Sequence, residues 1–261
     1  MKKLFVYFLI ILLSLPSFAE TYKGGVSERS RYNNQYYPVG RITDKTSGKG
    51  IGGAKISIPK QNYQTKTDKD GYFELDTSID ETTIMSVQKD KYKPFSMTVD
   101  KKSFDKPLVL GIEKSDSASL SIDSNMYHLG DNSYSDLSAN AGEFKNESLG
   151  PFYTKKFNLK NIDTRKPIFL VIGSIIGIDT YMARSMGQNK NPNSYASPPE
   201  IFFNGNKISE VQINGDGQKI RIPHNLIKRV NEVTIKTGRN LMQTSYIDYD
   251  DIEFMNLIIE N

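Results

Sequence analysis

Two adjacent aspartates, Asp250 and Asp251, stand just before the strand-like run DIEFMNLIIE at the end of the chain. With Asp131, from the segment MYHLGDNSYS, they could supply part of a structural calcium site, because hard cations take carboxylates and carbonyls gathered from separate chain segments. The alternative is an exposed acidic turn whose carboxylates accept backbone N–H groups. Asp68 and Asp70 lie equally close together, but TDKDGY offers only two carboxylates with a lysine between them, and that pattern reads as a turn. The two histidines, His128 and His224, sit in neither an HExxH motif nor beside a GxSxG elbow, so zinc hydrolysis and Ser–His–Asp chemistry are both disfavoured. No catalytic residue is expected.

A second candidate site is the stretch Tyr181 to Pro199, YMARSMGQNKNPNSYASPP. It is the longest run of the second half without periodicity, and long loops of this kind commonly carry function. Arg184, Gln188, Asn189, Asn191, Asn193 and Tyr195 are residue types that bind sugars. Amides and a guanidinium address hydroxyl groups, and an aromatic ring covers the apolar face of a pyranose. The expected ligand-binding set is Tyr181, Arg184, Asn191, Tyr195 and Tyr246. The chain has 15 tyrosines but no tryptophan, so tyrosine must provide any stacking platform.

The elements that must position these residues are short strands. KISI, FSMTV, LVLGI, IRI, VTI and DIEFMNLIIE are strand-like, several alternating apolar and polar residues, and turn signals recur about every ten residues, as in a sandwich. Asn204-Gly205 between two such runs predicts a type I′ hairpin, and Asp70-Gly71 predicts another. PIFLVIGSIIGI, residues 167–178, is too short to cross a bilayer and reads as one or two buried strands with a bend.

Lys2 and Lys3, the apolar run from Leu4 and the small residues Ser17 and Ala19 predict a signal peptide over residues 1–19. Residues 20–36 read as a polar leader. With no cysteine, disulfides, thiolate metal sites and a lipoprotein anchor are ruled out, and an exported bacterial protein, periplasmic or secreted, is the expectation. The formal charge of +4 drops by two with the signal peptide, and no basic block stands out, so nucleic acid is not an expected partner.

The run VGRITDKTSGKGIGGAKISI, then TKTDKDGYFEL and KDKYKPF, resembles the carboxypeptidase regulatory-like domains. Gly40, Gly53, Ala54, Ile56, Thr67, Asp70, Gly71, Phe73 and Tyr92 fall on that pattern. The resemblance implies a transthyretin-like sandwich over residues 37–113 that acts as a spacer or binding platform. Further on, MYHLGDNSYS, the IFFNGN hairpin, IPHNLIKRVNEVTIKTG and DDIEFMNLIIE are similar to galactose-binding-domain-like jelly rolls, a class that includes many carbohydrate-binding modules. Asn204, Gly205, Ile222, Pro223, Leu226, Ile227, Asn231, Val233, Ile235, Asp250 and Asp251 fall on that pattern. This implies a jelly roll over residues 120–261 after a linker at residues 114–119, and such modules often hold a structural calcium.

The expectation is therefore an all-β protein of two sandwiches. It would bind a carbohydrate or glycoconjugate without catalysis, or else serve as a structural or protein-interaction component of a bacterial envelope assembly.

Overall fold

The computed structural model describes residues 39–116, 118–140, 143–159, 162–189 and 195–261. The expected signal peptide, the leader, Asn191 and Asn193 lie outside the described residues. The protein is an all-β sandwich fold, as its alternating strands predict.

In the first half, β1 (Val39–Asp44), β4 (Tyr72–Glu74) and β7 (Leu108–Ile112) form one sheet in the order β4-β1-β7. Strands β2 (Lys55–Ile58), β3 (Tyr63–Lys66), β5 (Thr83–Gln88) and β6 (Phe95–Val99) form the other, in the order β3-β2-β5-β6. Their inner faces enclose Ile42, Ile56, Ile58, Leu75, Met85, Val87 and Ile112, all fully buried or nearly so. Asp70-Gly71 does not close the expected hairpin. Strand β3 pairs with β2, while β4 pairs with β1, so this turn carries the chain from one sheet to the other. Asp68 holds the turn by accepting from the N–H groups of Asp70 and Tyr72, each at 2.9 Å. Gly71 is required there: its φ is +87° and a Cβ would lie 2.4 Å from the Ile42 carbonyl oxygen.

In the second half, β8 (Ser119–Leu129), β10 (Ile168–Ile176), β13 (Gly215–Ile222) and β15 (Ile252–Glu260) form a sheet in the order β13-β10-β15-β8. Strands β9 (Phe152–Asn158), β11 (Glu200–Phe203), β12 (Asn206–Glu210) and β14 (Val230–Lys236) pair in the order β12-β11-β14-β9. Asn204 and Gly205 both have positive φ, as the predicted β11–β12 hairpin needs. PIFLVIGSIIGI becomes the single strand β10, which ends just before Gly177, a residue with φ +94°.

Strand β15 shows why its sequence is so apolar. Ile252, Phe254, Leu257 and Ile259 point into the second core. Glu253, Met255 and Ile258 are buried too, although they alternate to the opposite face. That outer face is covered by the first sandwich, where Ile84 of β5 packs with Ile176, Met255 and Phe144. The phase of the strand shifts at Asn256, which has φ +60°, at an irregularity in its pairing with β8.

Polar groups fasten the same junction. The hydroxyls of Ser96 and Ser174 lie 3.0 Å apart, and Ser174 donates to Asp216 at 2.7 Å. Asp216 also accepts from the N–H and hydroxyl of Thr98 on β6, both at 2.9 Å. A Cβ on Gly173 would fall 2.6 Å from Ser96 Oγ and 2.7 Å from Asn256 Cβ. Gly173→Ala is therefore expected to destabilise the protein by about 1–3 kcal/mol, the usual cost of overpacking. Urea denaturation checks this, and an unchanged midpoint would mean that the two sheets do not press together at this point.

Candidate functional site

The stretch expected to be an irregular loop opens with a short helix, α1 (Tyr181–Ser185), whose first turn is capped by Thr180 Oγ1 accepting from the Ala183 N–H at 3.1 Å. Helix geometry places Tyr181 and Arg184, three residues apart, on one side. Both meet Tyr195. The Tyr181 and Tyr195 rings stack with centroids 6.1 Å apart and planes at 23°, and the Arg184 guanidinium lies 3.9 Å from the Tyr195 centroid. Tyr195 is fixed from behind, where its carbonyl accepts from the Leu241 N–H at 2.6 Å and Ala196 pairs with Asn240. Tyr181 is 74% exposed, so one ring of the cluster is open to solvent.

Tyr181, Arg184 and Tyr195 are thus brought together. Tyr246 is exposed in the segment that follows Asn240, and among the described residues it makes no ring contact with the other three. Gln188 and Asn189 serve the fold instead of facing a ligand. The Gln188 side chain exchanges two hydrogen bonds with the Asn214 backbone, at 3.0 and 3.1 Å, and Asn189 is buried against Asp179.

The three aspartates expected to hold calcium each accept hydrogen bonds within the fold. Asp131 accepts from the Ser133 and Tyr249 N–H groups, at 3.0 and 2.8 Å. Asp251 Oδ1 lies 2.8 Å from His128 Nε2 and accepts from the Asn132 N–H at 3.0 Å. Asp250 Oδ2 accepts from the Asp179 N–H at 3.1 Å. Among the described residues no group of three or more His, Cys, Asp or Glu side chains is arranged to hold a metal ion. Nor is the pair an exposed acidic turn, since Asp250 and Asp251 are fully buried. They form a hydrogen-bonded clasp that ties the end of β8 and its following loop to the start of β15. Burial, with Asp179, Asp251 and Asp248 nearby, pushes the Asp250 carboxyl well above the usual carboxylate range.

His128 completes the clasp. Its Nδ1 is 2.6 Å from the Asn146 carbonyl oxygen and its Nε2 faces Asp251, so neither ring nitrogen has a donor as neighbour. Burial alone would lower the imidazole pKa, but the hydrogen bonds to Asp251 and Asn146 outweigh it and leave it raised. The other histidine, His224, lies in a turn and contacts the Lys166 carbonyl oxygen at 2.9 Å.

No family model matches the sequence, and no curated protein matches it either. Among solved structures, the chain is similar to a candidate carbohydrate binding protein from Bacteroides uniformis. The two are 9% identical, over 85% of this chain and 97% of that one, with a TM-score of 0.23. A likeness at that level carries no argument about this chain.

Sequence reasoning missed an apolar surface beside the tyrosine cluster. Met182 lies in α1 and Met186 caps its end, and Leu241, Met242 and Ile247 follow Asn240; all are between 49% and 65% exposed. Leu241 and Ile247 also line a cleft of about 390 Å³, with Pro198, Arg239 and Tyr249 among others. The sequence signal was LMQTSYI, whose apolar residues follow neither strand nor helix periodicity and so have no buried face to occupy. Among the described residues no helix is long and apolar enough to cross a membrane.

Proposed function

We propose that this is an exported, non-catalytic binding protein that takes a carbohydrate or glycoconjugate at the loop end of its second sandwich. The observation that supports this reading is the cluster of Tyr181, Tyr195 and Arg184. An exposed tyrosine is held against a second tyrosine and a guanidinium, on segments anchored by backbone hydrogen bonds. The tyrosine face suits the apolar C–H face of a sugar ring, and the guanidinium edge suits its hydroxyls. Preorganisation of the rings reduces the ordering cost of binding.

Tyr181→Ala combined with Arg184→Ala is expected to weaken glycan binding by at least tenfold, since both the platform and its polar edge are removed. Binding on a glycan array that survives the double substitution unchanged would remove this assignment.

A second reading is a structural or protein-interaction component of an envelope assembly. The exposed methionine, leucine and isoleucine side chains at the same end favour it, because contiguous exposed apolar residues mark protein contacts more than sugar contacts. A stoichiometric exported partner that is lost on Leu241→Ser with Ile247→Ser, in a protein that binds no glycan, would select this reading.

A further inference from the structure

We infer that the groove between the two sandwiches is a second binding site, for an acidic oligosaccharide such as a chain of uronic acids. It lies apart from the tyrosine cluster and does not depend on that site. One wall is the outer face of the sheet β3-β2-β5. Strict alternation in KISI sends Ile56 and Ile58 into the core and leaves Lys55 and Ser57 outside. Register then sets polar residues side by side. Lys66, Lys55 and Gln88 stand in one row, and Gln64, Ser57 and Ser86 in the next. The other wall is β8, from which Ser121 and Ser124 line the groove; Gln88 Nε2 donates across it to the Ser124 carbonyl at 3.4 Å. Two cavities that share Lys55, Gln88 and Ser124, of about 460 and 320 Å³, run along it. Each falls in the size range of small-molecule sites.

The charge of this groove points to the ligand. Lys55 and Lys66 are directly opposed across β2 and β3. Like charges in that position destabilise a sheet. Neither lysine takes part in an ion pair among the described residues. A third ammonium, Lys89, is held at the same end by donating to the Gly52 carbonyl at 2.7 Å. Asp90 is the single acid lining the first cavity, and the second has none. An anion between Lys55 and Lys66 would offset their repulsion. Gln64, Asn62, Asn125 and Asn146 farther along offer donors and acceptors for hydroxyl groups. Lysines spaced among amides and hydroxyls match a sugar chain carrying carboxylates. The formal charge of the whole chain, +4, supplies no broad basic surface of the kind that nucleic acid needs.

The test is titration calorimetry of the full protein with a galacturonic acid tetrasaccharide, beside a neutral glucose tetrasaccharide and a short single-stranded oligonucleotide. The expected result is binding of the uronate alone, weakened at least tenfold by raising salt from 50 to 500 mM. All titrations are made in the Tyr181→Ala, Arg184→Ala background, which removes sugar binding at the tyrosine cluster, and adding Lys55→Gln with Lys66→Gln should weaken uronate binding at least tenfold. Circular dichroism melting of the lysine variant should show a midpoint no lower than that of the background, since a repulsive pair has been removed. No uronate binding, equal binding of the neutral sugar or the oligonucleotide, or full affinity in a folded lysine variant would each overturn the inference.

Discussion

Glu253→Gln is expected to raise the unfolding free energy by about 3 kcal/mol at pH 8.5 and to leave it almost unchanged at pH 4. Glu253 is buried on the outer face of β15, beneath the first sandwich, and neither of its carboxylate oxygens has a hydrogen-bond partner. Its cross-strand neighbours are His128 and Ile176. Burial raises its pKa to about 7, against a pull in the other direction from Lys60 and His128. An acid whose folded-state pKa lies above its unfolded value contributes stability that is complete below the unfolded pKa, here 4.5, and is lost as pH rises through about 7. A shift of this size corresponds to about 3 kcal/mol once both transitions are passed. Glutamine stays neutral throughout, so the advantage of the variant grows from pH 4.5 to 7 and then levels off. Chemical denaturation at several pH values measures it. A constant difference between the two proteins would show that the carboxyl titrates in the folded state as it does in the unfolded one, and that burial at the junction does not raise its pKa.

The same residue shows where the sequence was readable and where it was not. Alternation identified DIEFMNLIIE as a strand, and Asn204-Gly205 as a hairpin, because both signals are local: side-chain period and the positive φ of two turn residues. The second buried face of β15 was not legible, since Glu253 in an alternating strand reads as a solvent-facing residue. Only the packing of one sandwich on the other reverses that. The Asp70-Gly71 turn failed for a related reason, as a turn signal states that the chain reverses but not which strands it joins. At the candidate site, tyrosine and arginine at helical spacing could have predicted a shared face. Their contact with Tyr195 required the pairing of residues 195–197 with 239–241, a long-range event. The lysine pair of the groove was equally hidden, because Lys55 and Lys66 are eleven positions apart and meet only through strand register.

His128→Ala is expected to cost about 3–5 kcal/mol, the range for breaking a buried ion pair by removing one partner. Both side chains of the pair are fully buried, and the ring of His128 is wedged between two acceptors, the Asn146 carbonyl and the Asp251 carboxylate. A carbonyl can only accept, so Nδ1 must carry a proton. Nε2 and Asp251 Oδ1 share a proton. Burial raises the Asp251 carboxyl, but the hydrogen bonds to Asp251 and Asn146 outweigh burial at the imidazole and raise it as well. The expected state is an imidazolium paired with Asp251. Removing the ring leaves that carboxylate buried with only the Asn132 N–H for compensation. Asp251→Ala strands the opposite charge and should cost a similar amount, whereas the double variant should cost clearly less than the two single losses combined. The damage should also reach the loop end of the second sandwich. Asp251 shares its neighbourhood with Ala139, whose N–H donates to Asp248 at 2.7 Å, and Asp248 accepts from Asn240, the residue paired with Ala196 beside Tyr195. Gly130 packs directly against this carboxylate, where a Cβ would lie 2.1 Å from Asp251 Oδ1. Denaturation of the three variants gives the coupling energy, and imidazole ¹⁵N shifts report the charge of the ring. Strictly additive losses, or a neutral ring at pH 6, would show that the clasp is held by packing alone and that the binding end of the sandwich is braced from elsewhere.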